Sequence, residues 1–138
     1  MYVLGAGSSL ALATFLAHYL RLVFDTVHLV EATSEATILQ QMVRVGEGDA
    51  VIAISFPRYS KKAVKTMKYA SAQKATTVAI TDSPLSPCPA RLSRAAGPQR
   101  HGLLCGLPGG ALSIINALIV TVAIKKKDEV ADTLRKIE

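Results

Sequence analysis

The chain has 138 residues, half of them hydrophobic and 19% charged, with a formal net charge of +6 and a mean hydropathy of +0.32. That length suits one domain, residues 1–138, built on a single core, and so apolar a composition excludes a disordered polar tail. The longest apolar stretch, residues 111–124, is interrupted by Ser113, Asn116 and Thr121 and falls short of the roughly 20 residues a bilayer span needs, so no membrane partner is expected. No charged leader or cleavage pattern precedes Tyr2, which makes a cytoplasmic location the expectation. Cys88 and Cys105 are the only cysteines. They have no CxxC spacing and no histidine cluster, which supports neither a disulfide framework nor a metal site. The basicity is local: Arg91, Arg94 and Arg100 lie in residues 88–112, which hold no acid, and without that segment the charge falls to +3. Lys61, Lys62, Lys65 and Lys68 recur at helical spacing and read as a solvated face rather than a nucleic-acid recognition element.

Strand and helix signals alternate along the chain, the mark of parallel βαβ units. Residues 2–4 read as a short buried strand entering Gly5-Ala6-Gly7-Ser8-Ser9, after which Leu10, Leu12, Phe15, Leu16, Tyr19 and Leu20 form an amphipathic stripe. Residues 26–30 form the second expected strand, 34–45 a helix, and Gly46-Glu47-Gly48-Asp49 its stop. Residues 50–55 are the third strand. Pro57 then breaks the chain, and Ser60 is placed to cap a helix carrying Ala63, Val64, Met67 and Ala70 on one side. Residues 76–81 are the fourth strand, and 113–124 and 128–137 are two further helices. The strands are apolar throughout, as expected of a sheet covered on both faces: an α/β three-layer sandwich around an open parallel sheet.

In such a sheet, ligands bind at the carboxyl ends of the strands. Gly7, Ser8 and Ser9 bring backbone N–H groups and two hydroxyls to a helix start, suited to an anion or a polyol. Gly5-x-Gly7 also evokes a dinucleotide turn, with Glu31 as the ribose-binding acid. Leu10, however, occupies the place where that fingerprint wants a third small residue. No cofactor is expected. The second loop, Ser55-Phe56-Pro57-Arg58-Tyr59-Ser60, combines two hydroxyls, a guanidinium and the opening of a helix, which suits a phosphate; a capped helix with a surface arginine is the plainer alternative. Ser83, in Thr81-Asp82-Ser83-Pro84-Leu85-Ser86-Pro87, could add a hydroxyl to a sugar, or serve ordinary turn chemistry.

These segments, Val3-Leu4-Gly5-Ala6-Gly7-Ser8-Ser9, Ala53-Ile54-Ser55-Phe56-Pro57-Arg58-Tyr59-Ser60 and Ile80-Thr81-Asp82-Ser83-Pro84-Leu85-Ser86-Pro87, resemble the sugar isomerase (SIS) domain, in particular the effector-binding domain of RpiR-type transcriptional regulators. The resemblance implies a five-stranded parallel sheet and a homodimer that binds a sugar phosphate, with Ser9 against the sugar and Ser55 and Ser60 on the phosphate. SIS isomerases generally show Ser-x-Ser-Gly-x-Thr where this chain has Pro57, Arg58 and Ser60, and that departure favours sensing over catalysis. A small SIS-fold isomerase is the second reading. His18 and His28 read as packing or surface residues and Glu31 and Glu35 as helix-entry charges, so no catalytic residue is assigned. A regulator of this type reaches DNA through an N-terminal helix-turn-helix domain, which would lie ahead of Tyr2 and make this chain a fragment.

Residues 88–112 look foreign to that family, which has its fifth strand there and then a helix start resembling Ser-Phe-x-Asp-Ser-Leu-Val. Read one base later, codons for Gln99-Arg100-His101-Gly102-Leu103-Leu104-Cys105-Gly106 permit Ser-Asp-Met-Ala-Ser-Phe-Val-Asp, and those for residues 107–111 permit Ser-Leu-Val-Ala-Pro. A frameshift across this segment is therefore the expectation, with loss of the usual fifth strand.

Overall fold

The computed structural model describes residues 1–56, 60–81, 103–105, 110–127, 131 and 135. Strands β1 (Tyr2–Gly5), β2 (His28–Glu31), β3 (Ala50–Ile54) and β4 (Thr76–Thr81) alternate with helices α1 (Ser9–Leu20), α2 (Glu35–Met42) and α3 (Lys61–Ala72). All strand pairs are parallel, with β1 between β2 and β3 and β4 outside β3. Parallel neighbours need a crossover, and each of the three helices supplies one. The registers align Gly5 with Glu31 and with Ile54, and Ile54 with Ile80, so these strands end level with one another.

Alternation along the strands sends residues to two separate cores. Val3, Ile52, Ile54 and Ile80 pack with Ala13, Leu16, Ala17 and Leu20 of α1 and with Ile115. That last residue belongs to a further helix, α4 (Gly110–Lys125). On the other face Leu4, Val51, Ala53 and Ala79 meet Ile38 and Met42 of α2 and Ala63, Met67 and Ala70 of α3. Helices thus cover both faces, the physical reason the strands carry no polar alternation. Among the described residues, no helix is long and apolar enough to cross a membrane.

The second strand begins at His28 rather than at residue 26, because the two preceding carbonyls are used elsewhere. The terminal ammonium of Met1 donates to the Thr26 carbonyl, and Arg21 Nε donates to that of Val27. The helix expected over 34–45 is shorter, closing at Met42 before a turn in which Asp49 Oδ2 accepts from the Gly46 N–H at 3.1 Å. The helix expected over 113–124 is longer, starting at Gly110. Inside the segment that the sequence marks as foreign, the backbone of Leu103–Cys105 runs as a three-residue strand, β5, parallel to residues 79–81 of β4. The rest of 88–109 lies outside the described residues. So does most of the helix expected over 128–137, of which Ala131 and Arg135 are described, both helical.

Two local devices fix how helices leave the sheet. Gly5 ends β1 directly beneath α1: a Cβ there would lie 2.6 Å from that of Ala13 and 2.8 Å from both the Leu10 Cα and the Ser9 carbonyl oxygen. The helices on the opposite face start differently from one another. Ser34 caps α2, its Oγ accepting from the Thr37 N–H at 3.1 Å. Ser60 occupies the same position before α3, yet its hydroxyl makes no capping hydrogen bond, contrary to the expectation from sequence.

Gly5→Ala is expected to destabilise the fold by about 1–3 kcal/mol, because backbone as well as a side chain blocks the added methyl; urea denaturation reads the loss. Ser34→Ala should cost about 1 kcal/mol through the lost cap, whereas Ser60→Ala should leave the denaturation midpoint nearly unchanged.

Candidate functional site

The order β2-β1-β3-β4 makes the chain leave β1 toward one side and β3 toward the other. The carboxyl ends of β1 and β3 therefore flank a crevice at the reversal of strand order, the place where open parallel sheets hold ligands. From β1 the chain turns through Gly7, whose φ of +58° lies in the left-handed region that favours glycine. Ser9 N–H then donates to the Ala6 carbonyl and Leu10 N–H to that of Gly7, at 3.2 and 3.1 Å. This turn exposes Gly7 and Ser8 and buries Ser9 at the first residue of α1. Ser8 makes no side-chain cap.

From β3 the chain runs into Ser55, which is buried and held against the neighbouring strand by its N–H donating to the Ile80 carbonyl at 3.0 Å. Phe56 is half-buried on the α1 side, and Ser60, half-buried, opens α3 on the other. Thr81, fully buried, ends β4 at the same level. Four of the residues singled out by sequence, Ser8, Ser9, Ser55 and Ser60, thus stand at one edge with Gly7, between the starts of two helices that lie on opposite faces of the sheet. The N–H groups of Ser9 and Leu10 at the start of α1 are already bonded, but a helix start carries a partial positive charge and the hydroxyls beside it can donate to ligand oxygens, so the arrangement suits a polyol bearing an anion. Arg58, Tyr59 and Ser83 lie outside the described residues.

The residues set aside as catalytic candidates take the places expected of them, with one exception. His28 is exposed and stacks on Tyr2 at 5.1 Å between ring centroids, and His18 is exposed and meets Tyr19 edge-on at 5.3 Å. Glu35 sits in the first turn of α2 and pairs with Lys65 at 3.1 Å. Glu31, in contrast, is no helix-entry residue: it ends β2 opposite Gly5, exposed at the rim of the same edge. Sequence reasoning also missed Lys62. Read as part of a solvated face, it is half-buried, and its ammonium donates to the Thr33 carbonyl, drawing the turn after β2 toward the start of α3. Its signal was slight, a lysine two residues past a helix cap. Among the described residues, no cluster of His, Cys, Asp or Glu could hold a metal ion.

Solved structures share this architecture. The sugar isomerase domain of an RpiR transcription factor from Sphaerobacter thermophilus superposes with a TM-score of 0.79 at 24% identity, over 99% of this chain and 76% of that one. The Vibrio vulnificus NanR protein complexed with ManNAc-6P gives 0.64 at 19% identity, over 99% of this chain and 55% of that one. An E. coli CFT073 protein in complex with a sugar phosphate gives 0.71 at 18% identity, over 99% and 76%. At such identities the likeness is one of fold. Among curated proteins, none matches the sequence. The family model for the SIS domain matches residues 1–95, more than half of the chain, and with the parallel sheet and its serine-lined edge that match makes this chain a member of the SIS-domain family.

Proposed function

We propose that the crevice between β1 and β3 binds a sugar phosphate, and that the domain acts as the ligand-sensing part of an RpiR-type transcriptional regulator. One observation carries this reading: Ser9 and Ser55 are buried at the level strand ends, with Ser60 opening α3 and its hydroxyl uncommitted to a cap. In the proposed complex, Ser55, Ser60 and the α3 N–H groups take the phosphate, Arg58 adds a charge-assisted bond, Tyr59 is a further ligand-binding residue, and Ser83 adds a hydroxyl to the sugar. Gly7, Ser8 and Ser9 take the sugar. Two of the structural relatives are complexes with phosphorylated sugars, which supports the ligand class for this chain.

Regulation requires that the ligand bind two conformations with different affinity. In the proposed regulator a homodimer in the cytoplasm would transmit the difference to DNA through a separate helix-turn-helix domain. The aliphatic side chains Leu112, Val120 and Ile124, exposed along α4, are the surface a second copy would cover. A second reading, isomerisation, takes Glu31, a carboxylate exposed at the rim opposite Gly5, as the group that would move a proton beside a carbonyl.

Titration calorimetry against pentose and hexose phosphates should give binding that the unphosphorylated sugars lack. Arg58→Ala should weaken it by about 1.5–3 kcal/mol, roughly 10- to 150-fold, and Arg58→Lys should recover only part, because an ammonium lacks the planar fork. Uniform absence of binding by the folded protein would overturn the proposal. Turnover of a ketose or aldose phosphate that Glu31→Gln abolishes would replace the sensor with the isomerase.

A further inference from the structure

On the face of the sheet away from α1, the first two turns of α2 and α3 do not close on each other. They leave a trough of about 150 Å³, a volume on the scale of one that holds a benzene-sized molecule. Its floor is apolar, with the buried Ile38 and Met42 of α2 and the half-buried Tyr69 of α3. The lining positions are 35, 38, 39 and 42 on one helix and 62, 65, 66 and 69 on the other. Both sets follow the i, i+3, i+4, i+7 spacing of a helix face, and both helices run in the same direction, so the trough is a straight channel about two turns long.

Its two banks differ in chemistry. The α2 bank is an exposed apolar ridge, with Leu39 and Val43 one turn apart and 56% and 67% exposed, where an ordinary surface helix would carry polar residues. The α3 bank is basic: Lys62 and Lys65 line the trough, and Lys61 and Lys68, outside its lining, are exposed on one stripe with Lys65. Among the described residues only Lys65 of these has an ion pair, to Glu35 across the mouth of the trough. Both partners of that pair are largely exposed, so it holds the mouth weakly and yields to a competing carboxylate.

We propose that this trough is a docking surface for an amphipathic helix of a partner protein, its apolar side chains seated between α2 and α3 and its acidic side chains against Lys61, Lys65 and Lys68. The charge of the α3 bank selects an acidic occupant, and two parallel helix faces accept a third helix by the helix-in-groove mode. A membrane surface fits less well, since the apolar floor is concave and only Leu39 and Val43 project. The inference is independent of the sugar phosphate site.

The test is fluorescence anisotropy with a labelled helical peptide of about four turns, carrying Leu at i, i+3, i+4 and i+7 and Glu on its flanks. Controls replace Glu by Lys, or shuffle the same residues. The Glu peptide should bind at least about tenfold tighter than either control, and Leu39→Asp, which leaves the far-ultraviolet circular dichroism unchanged, should weaken it about tenfold. Should Leu39→Asp fail to fold, the exposed pair Lys65→Glu and Lys68→Glu should abolish the preference for the Glu peptide. Equal binding of the Glu and Lys peptides, or no effect of these substitutions, would overturn the proposal. So would a Leu39→Asp variant that merely turns a dimer into a monomer in sedimentation, which would assign the trough to self-association. Binding to phosphatidylglycerol vesicles in the absence of any peptide binding would assign it to a membrane.

Discussion

The missing side chain at Gly5 is the constraint on which the molecule turns. Because nothing projects there, the first turn of α1 settles onto the end of β1, with Ala13 and the backbone of residues 9 and 10 occupying the space a Cβ would need. That contact fixes how deep α1 sits, and with it the burial of Ser9 and the seating of Leu16 and Leu20 against Val3 and Ile52. β1 pairs on both sides, so a shift at Gly5 would be felt by β2 and β3 together.

The opposite face depends less on close packing and more on polar ties. Lys62 reaches the Thr33 carbonyl and Lys65 reaches Glu35, so the first two turns of α3 are fastened to the turn that begins α2. An exposed pair of this kind contributes little to stability. Its effect is positional: the helix whose start borders the crevice is the same helix that forms the basic bank of the trough. Movement of α3 at one end is therefore movement at the other, so the crevice and the trough share one rigid element.

Much of this was legible in the sequence because burial on both faces leaves so plain a mark. The apolar runs at residues 51–54 of β3 and 78–80 of β4 and the turn after β1 stand where the sequence put them, whereas the cap that Ser34 makes was not read from it. What sequence could not supply were facts of tertiary distance. Whether β2 begins at residue 26 or 28 depends on the Arg21 side chain and the Met1 amine competing for carbonyls. Lys62 is indistinguishable from its neighbours by spacing alone, and only the approach of the turn after β2 separates it from them. Ser60 shows the limit of local rules, since it occupies a capping position without making the cap. The serines at the carboxyl edge were found by their residue types, but their convergence came from the order of the strands, which periodicity does not encode.

β2 is the outermost strand on its side, and its brevity bears on how the protein behaves in a crowded solution. A strand at the rim of a sheet offers a row of unpaired N–H and C=O groups to any other extended chain, the first step toward ordered aggregates. Here the strand is only four residues long, its Glu31 N–H is already taken by Gln41 Oε1 at 3.3 Å, and His28 and Glu31 are exposed at its two ends. A foreign strand would gain few hydrogen bonds and would have to accommodate a carboxylate at the final position. The same shortness that limits β2 as a scaffold thus keeps the sheet from being extended by its neighbours.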